Sequence, residues 1–217
     1  WISIMIVVPF LLIVLYSITI SSDGPVSFVF TLSHYREFFN SGNLNILFKS
    51  VILAFQTTFF CIILGYPTAW IISKITPKKQ STFILFFIMP MWINMLLRTY
   101  AWQIILGRNS ILSTILRFPL SIIGKEYQGV LYTDTAVIIG MIYNFLPFMV
   151  LPIYTTLIKI DKNLIDAASD LGASTRSIFV KVIFPLSLPG VLTGIIMVFL
   201  PAVSSFAIPR LLGGGQY

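Results

Sequence analysis

Residues 159–185 read KIDKNLIDAASDLGASTRSIFVKVIFP, and they interrupt an otherwise apolar chain. Asn163 suits the cap position of a helix, with Asp166 at the third helical position in a capping-box-like arrangement. Leu164, Ile165, Ala168 and Leu171 then share one face, while Asp166 and Asp170 lie on another. Gly172 suits the left-handed residue that closes a helix. Ser174 or Thr175 starts a second helix that runs into Pro185. The spacing predicts helix, glycine turn, helix, with small alanines presented to solvent. Two readings fit this element: a knob for a groove on a soluble partner, or an interfacial helical hairpin with no partner.

On both sides of this loop the chain is uncharged for long runs. Residues 1–22, 50–73, 80–97, 135–158 and 182–209 contain no Asp, Glu, Lys or Arg. Crossing the hydrocarbon core takes about 20 helical residues. The runs therefore predict five transmembrane helices at Trp1–Ile20, Leu47–Ile72, Thr82–Leu106, Thr135–Leu157 and Leu186–Phe206. The expected fold is an all-α integral membrane helix bundle, with residues 1–217 as one domain. The first run lacks the basic leader and small-residue site of a cleaved signal peptide. The outer loops carry two further apolar stripes, Ser33–Phe39 and Ser110–Phe118, each suited to a short interfacial helix.

Composition agrees. Of 217 residues, 57% are hydrophobic, 15% aromatic and only 10% charged, and the mean hydropathy is +0.95. Soluble domains carry about 25% charged residues, so a soluble enzyme, a disordered chain and a nucleic-acid-binding module are excluded together. The net charge of +7 then reflects topology and anionic membrane lipid, not nucleic acid. Loops 73–81 and 158–184 hold seven Lys and Arg in 36 positions, against four in 51 for loops 21–45 and 107–132. The denser pair is expected in the cytoplasm, which puts the N-terminus there too. The single Cys61 excludes a disulfide framework and a cysteine metal cluster.

One spacing in the loop carries a resemblance. Asp166, Ala167, Ala168, Gly172, Val182, Phe184 and Pro185 follow the pattern E-A-A-x3-G-x9-I-x-L-P, with Asp for Glu, Val for Ile and Phe for Leu. That pattern resembles the membrane subunits of bacterial binding-protein-dependent ABC importers, of the MetI-like permease type. Residues 90–102 (PMWINMLLRTYAW), 144–154 (NFLPFMVLPIY) and 208–214 (IPRLLGG) are similar to the spermidine/putrescine permeases in particular. The resemblance implies six spans, so the last would be missing from this chain, which also lacks an initiating Met. It implies that 159–185 is the cytoplasmic coupling loop, with Asp166, Ala167, Ala168, Asp170, Leu171 and Gly172 as the residues that meet an ATPase. The implied partners are a cytoplasmic ABC ATPase dimer, a second homologous permease, and an extracytoplasmic binding protein that delivers a polyamine. The chain has no G-x4-G-K-[ST] phosphate loop, so ATP and Mg are expected on the ATPase, with no cofactor here.

Polar side chains inside the spans are the candidates for a translocation pathway, since each is costly in hydrocarbon unless paired or facing water. Asn94 and Arg98 are four apart and would share a helix face. Tyr143 and Asn144 lie in the fourth span between helix-breaking prolines. For each the alternatives are pathway lining, a bond to a neighbouring helix, or, for Arg98, snorkelling to the interface. Asp134, at the outer end of the fourth span, is the expected ion-pair partner that would let Arg98 hold a gate. Trp92 offers a cation–π face, and Tyr100 and Trp102 suit an aromatic belt. Gly65–Pro67 suggests a helix kink, His34 a solvated loop residue. A membrane-embedded enzyme needs a nucleophile, an acid–base pair or a metal cluster; one His, one Cys and no intramembrane carboxylate supply none. A channel or ion-coupled carrier would have no use for the coupling loop.

Overall fold

The structure, a computed structural model, describes residues 1–21, 28–39, 41–108, 110 and 129–214. It falls into two compact units, residues 1–49 and 50–217. The expected helix at Ser110–Phe118 lies outside the described residues, Ser110 excepted.

The first unit opens with α1 (Ile2–Ser17), 16 residues long. It covers most of the expected span Trp1–Ile20 and ends three residues before the expected limit. The β-branched run Ile18, Thr19 and Ile20 favours extended backbone. The chain turns there into β1 (Thr19–Ser21), which pairs antiparallel with β2 (Phe28–Phe30). The Thr19 hydroxyl closes the helix by donating to the Leu15 carbonyl at 2.7 Å. Next comes α2 (Ser33–Phe38), close to the interfacial helix expected at 33–39. His34 is part of α2, not of a loop, and its Nε2 lies 3.4 Å from the Thr19 carbonyl oxygen. Tyr35 and Ser17 join their hydroxyls across the same corner.

A 34-residue helix, α3 (Ser41–Lys74), leads into the second unit. Its buried hydroxyls are satisfied on their own helix: Thr57 donates to the Leu53 carbonyl at 2.8 Å and Thr58 to that of Ala54 at 2.7 Å. Gly65 serves packing, because a Cβ there would sit 2.8 Å from Met149 Cγ. Pro77 occupies the first turn of α4 (Pro77–Ile88), where its missing N–H costs nothing.

The expected third span is broken. α4 gives way to a 3-10 turn, Met89–Trp92, then extended Ile93 and Asn94, then α5 (Met95–Leu106). The two helices meet at 94°. Pro90 removes a backbone donor and crowds the preceding turn, which ends the α-helical ladder. Among the described residues three helices are long and apolar enough to cross a membrane, or four if the bent pair is one span, against the expected five.

The core of the unit is α6 (Asp134–Leu157), its most buried span. Beyond it come α7 (Lys162–Asp170), α8 (Thr175–Ile178), a π turn at Phe179–Ile183, α9 (Phe184–Ser204) and α10 (Ala207–Leu212). α9 lies along α6, with Gly190 against Pro152 and Thr156 and Gly194 against Met149. Small residues let the backbones approach closely, as helices in lipid require. At Gly194 a Cβ would meet Met149 Sδ at 2.7 Å; at Gly190 it would meet the Pro152 carbonyl oxygen at 2.7 Å.

These contacts rank the two glycines. Gly194→Ala strikes the movable end of a methionine, whereas Gly190→Ala strikes backbone. Gly190→Ala should therefore lower the thermal midpoint in detergent more than Gly194→Ala, at a cost of about 1–3 kcal/mol. Equal midpoints would mean that α6 and α9 are not in this contact.

Candidate functional site

The loop after α6 has the helix–turn–helix form the spacing predicts, with a different cap. Asp161, not Asn163, opens α7: its Oδ1 accepts from the Asn163 N–H at 2.9 Å. Asp161 holds the extended backbone a cap needs, with φ −64° and ψ 126°, and its carboxylate also suits the helix dipole. The expected box between Asn163 and Asp166 is thereby displaced, because Asn163 already belongs to the helix.

The other end closes on Gly172, at φ +79°. Its N–H donates to the Ser169 carbonyl at 2.9 Å, and the Ala173 N–H reaches back to that of Ala168 at 3.1 Å. This pair of bonds is the Schellman closure, which places a residue in the left-handed region and favours glycine. Ser174 caps the next helix, its Oγ accepting from the Ser177 N–H at 3.3 Å.

The expected apolar face of α7 divides. Ile165 and Ala168 pack against the core, while Leu164 is 51% exposed and Leu171 89% exposed. Ala167, Asp166 and Asp170 are exposed with them. One side of α7 is thus anchored and the other presents two leucines and an alanine to solvent.

Beneath the loop, rings tie it to the spans. Phe179, in the π turn, stands edge-on to Trp70 at 5.0 Å and to Tyr66 at 5.9 Å, both on α3. Tyr66 also meets Phe184 at 5.8 Å, and its hydroxyl bonds Ser187 Oγ at 2.9 Å. Sequence reasoning missed this cluster, as it missed Gln80. The Gln80 amide donates to the carbonyls of Ser73 and Ile75 at 3.1 and 2.8 Å, and its oxygen accepts from the Tyr154 hydroxyl at 3.1 Å. A lone glutamine at the edge of an apolar run was the available signal.

The pathway candidates do not converge as expected. Asn94 precedes α5 as its cap, accepting from the Leu96 N–H at 2.8 Å, so it does not share a helix face with Arg98. Arg98 lies in the first turn of α5, and its Nε and Nη1 are buried without a hydrogen-bond partner. Asp134 is exposed in the first turn of α6, and no ion pair joins it to Arg98. Tyr143 packs edge-on to Trp102 at 5.3 Å, which places Trp102 against α6. Asn144 is 3% exposed; its Nδ2 donates to the Gly140 carbonyl at 2.8 Å, and its Oδ1 has no partner. Ser205 Oγ, between α9 and α10, is a third buried polar group without one. Gln103 ties α5 to α10 by donating to the Leu211 carbonyl at 3.3 Å.

Residues 1–216 match the binding-protein-dependent transport system inner membrane component family. The chain belongs to this family. It is similar to the spermidine/putrescine transport system permease protein PotB of Haemophilus influenzae, at 36% identity over 218 residues, covering 100% of this chain and 75% of that protein. PotB of Escherichia coli K12 is also 36% identical, over 217 residues, with 78% of its length covered. The E. coli inner membrane ABC transporter permease protein YdcU is 29% identical over 197 residues, covering 86% of this chain and 63% of its own length. The helix–turn–helix at 162–178 and the apolar spans are therefore parts of a membrane transport permease.

Two measurements check this geometry. Phe179→Ala deletes the ring shared by α3 and the π turn and should cost about 3–5 kcal/mol of stability, read as a lowered thermal midpoint. Arg98→Ala and Asp134→Ala should combine additively in a stability cycle, to within about 0.5 kcal/mol. A coupling well beyond that would restore the ion pair.

Proposed function

We propose that this chain is a pore-forming subunit of an ATP-driven importer of polyamines, working by alternating access. In this reading the exposed face of α7, with Leu164, Ala167, Asp170 and Leu171, seats in a groove on a cytoplasmic ABC ATPase dimer that binds ATP and Mg. A second, homologous permease completes the pore, and an extracytoplasmic binding protein delivers the substrate. The N-terminus and the 159–185 loop face the cytoplasm, following the Lys/Arg bias. The observation that carries the reading is the Schellman-closed helix with one face anchored and two leucines left in water. The cargo follows from similarity to permeases named for spermidine and putrescine.

Arg98 favours a second reading of the cargo. A half-buried guanidinium with Nε and Nη1 unbonded repels an ammonium and suits a carboxylate, so a permease of this fold carrying an anionic or zwitterionic solute is the competing case. Uptake of labelled spermidine against a labelled amino acid separates the two.

Gly172 supplies the test of docking. A Cβ there meets nothing within 4 Å, so Gly172→Val adds backbone strain of about 1–2 kcal/mol without a clash. The variant should insert normally yet lose ATPase association in mild detergent and most of its uptake. Gly172→Asn, which tolerates the left-handed region, should keep both. Normal association in Gly172→Val would sink the docking assignment.

A further inference from the structure

The second unit holds a cavity of about 490 Å³ that none of the pathway candidates lines. Its walls come from the last turn of α3, the start of α4, the end of α6, and α7. The lining is chemically two-sided. Lys74, Lys162 and Asp166 are exposed, while Leu157 and Ile183 are buried, so charge lies toward the opening and apolar surface toward the interior.

Lys74 Nζ stands 4.6 Å from the centre of the Trp70 ring, which holds the ammonium at the wall. Among the described residues neither lysine makes an ion pair. The Gln80 amide is committed to Ser73, Ile75 and Tyr154, which leaves the ammoniums as the free donors. Two ammoniums against one carboxylate leave a net positive site, the charge that suits a monoanionic phosphodiester. Lys74 and Leu157 are the last residues of two membrane-length apolar helices. The opening is therefore at the depth of lipid headgroups. A soluble anion would satisfy only the charged side; a phospholipid satisfies both.

We propose that this cavity binds the phosphodiester headgroup of an anionic membrane phospholipid, with Lys74 and Lys162 as its phosphate contacts. Because Lys162 sits on α7 and Lys74 on α3, an occupied site ties the loop helix to the span. The proposal needs the membrane location but not the cargo or the ATPase.

The test is native mass spectrometry of the purified permease from nanodiscs of phosphatidylcholine doped with phosphatidylglycerol. Wild type should retain phosphatidylglycerol in preference to phosphatidylcholine. Lys74→Ala and Lys162→Ala should each weaken that retention about fivefold, and the double variant more. Lys78→Ala with Lys79→Ala, outside the cavity, should leave it unchanged. Equal loss in that control would mean diffuse surface attraction and overturn the site, as would full retention in the Lys74/Lys162 double variant. Glycerol phosphate in detergent that competes at the same lipid concentration would reassign the pocket to a soluble phosphate. ATPase association, followed in parallel, distinguishes failure here from failure of the docking reading.

Discussion

Where α9 lies against α6, two glycines face Met149, Pro152 and Thr156, and there is no space for a methyl group between them. In hydrocarbon, apolar surface gains nothing by leaving the solvent, so helices associate through close contact and shared polar bonds. α6 collects those contacts from several sides. Met149 fits between Gly65 of α3 and Gly194 of α9, Gly140 accommodates Leu212 of α10, and Trp102 of α5 meets Tyr143. The loop is held separately, through Phe179 against Tyr66 and Trp70 of α3.

Much of this was legible in the sequence, for physical reasons that can be separated. Uncharged length marks helices that fit a bilayer, and α3, α6 and α9 appear where the runs put them. Gly172 was legible because few residues but glycine close a helix in the left-handed region at low cost. The break at Met89–Asn94 was harder, because apolar composition is blind to direction; Pro90 alone signalled it. The end of α1 was obscured for the same reason, since Ile18 to Ile20 are as apolar as the helix before them. Capping by Asp161 and not Asn163 turned on a shift of two residues in where the helix begins, which local preference cannot fix.

The candidate site was legible in residue type but not in partnership. Arg98, Asn144 and Ser205 each keep a buried polar atom without a bond. Such groups are expensive in a membrane, and nearly all other buried hydroxyls here return to their own helix, as Thr57, Thr58 and Thr99 do. The three exceptions lie on α5, on α6 and beside α10. No pattern in the chain distinguishes them from Asn94, bonded within its own turn, or Gln103, bonded across to α10.

The π turn at Phe179–Ile183 fits more residues into its coil than an α-helix would. An α-helix advances about 100° per residue, so one extra residue in a regular helix would swing everything before it by that angle; the wider turn takes the residue up instead. Removing one residue there would let regular α-helix run straight through from α8 into α9. The segment before it would then keep nearly the same heading, because four residues of α-helix cover about the turn that five cover in the wider coil. The heading of the loop is in this sense buffered against a count of residues. Chains of this design can take up a one-residue change here that elsewhere in the helix would swing the loop round.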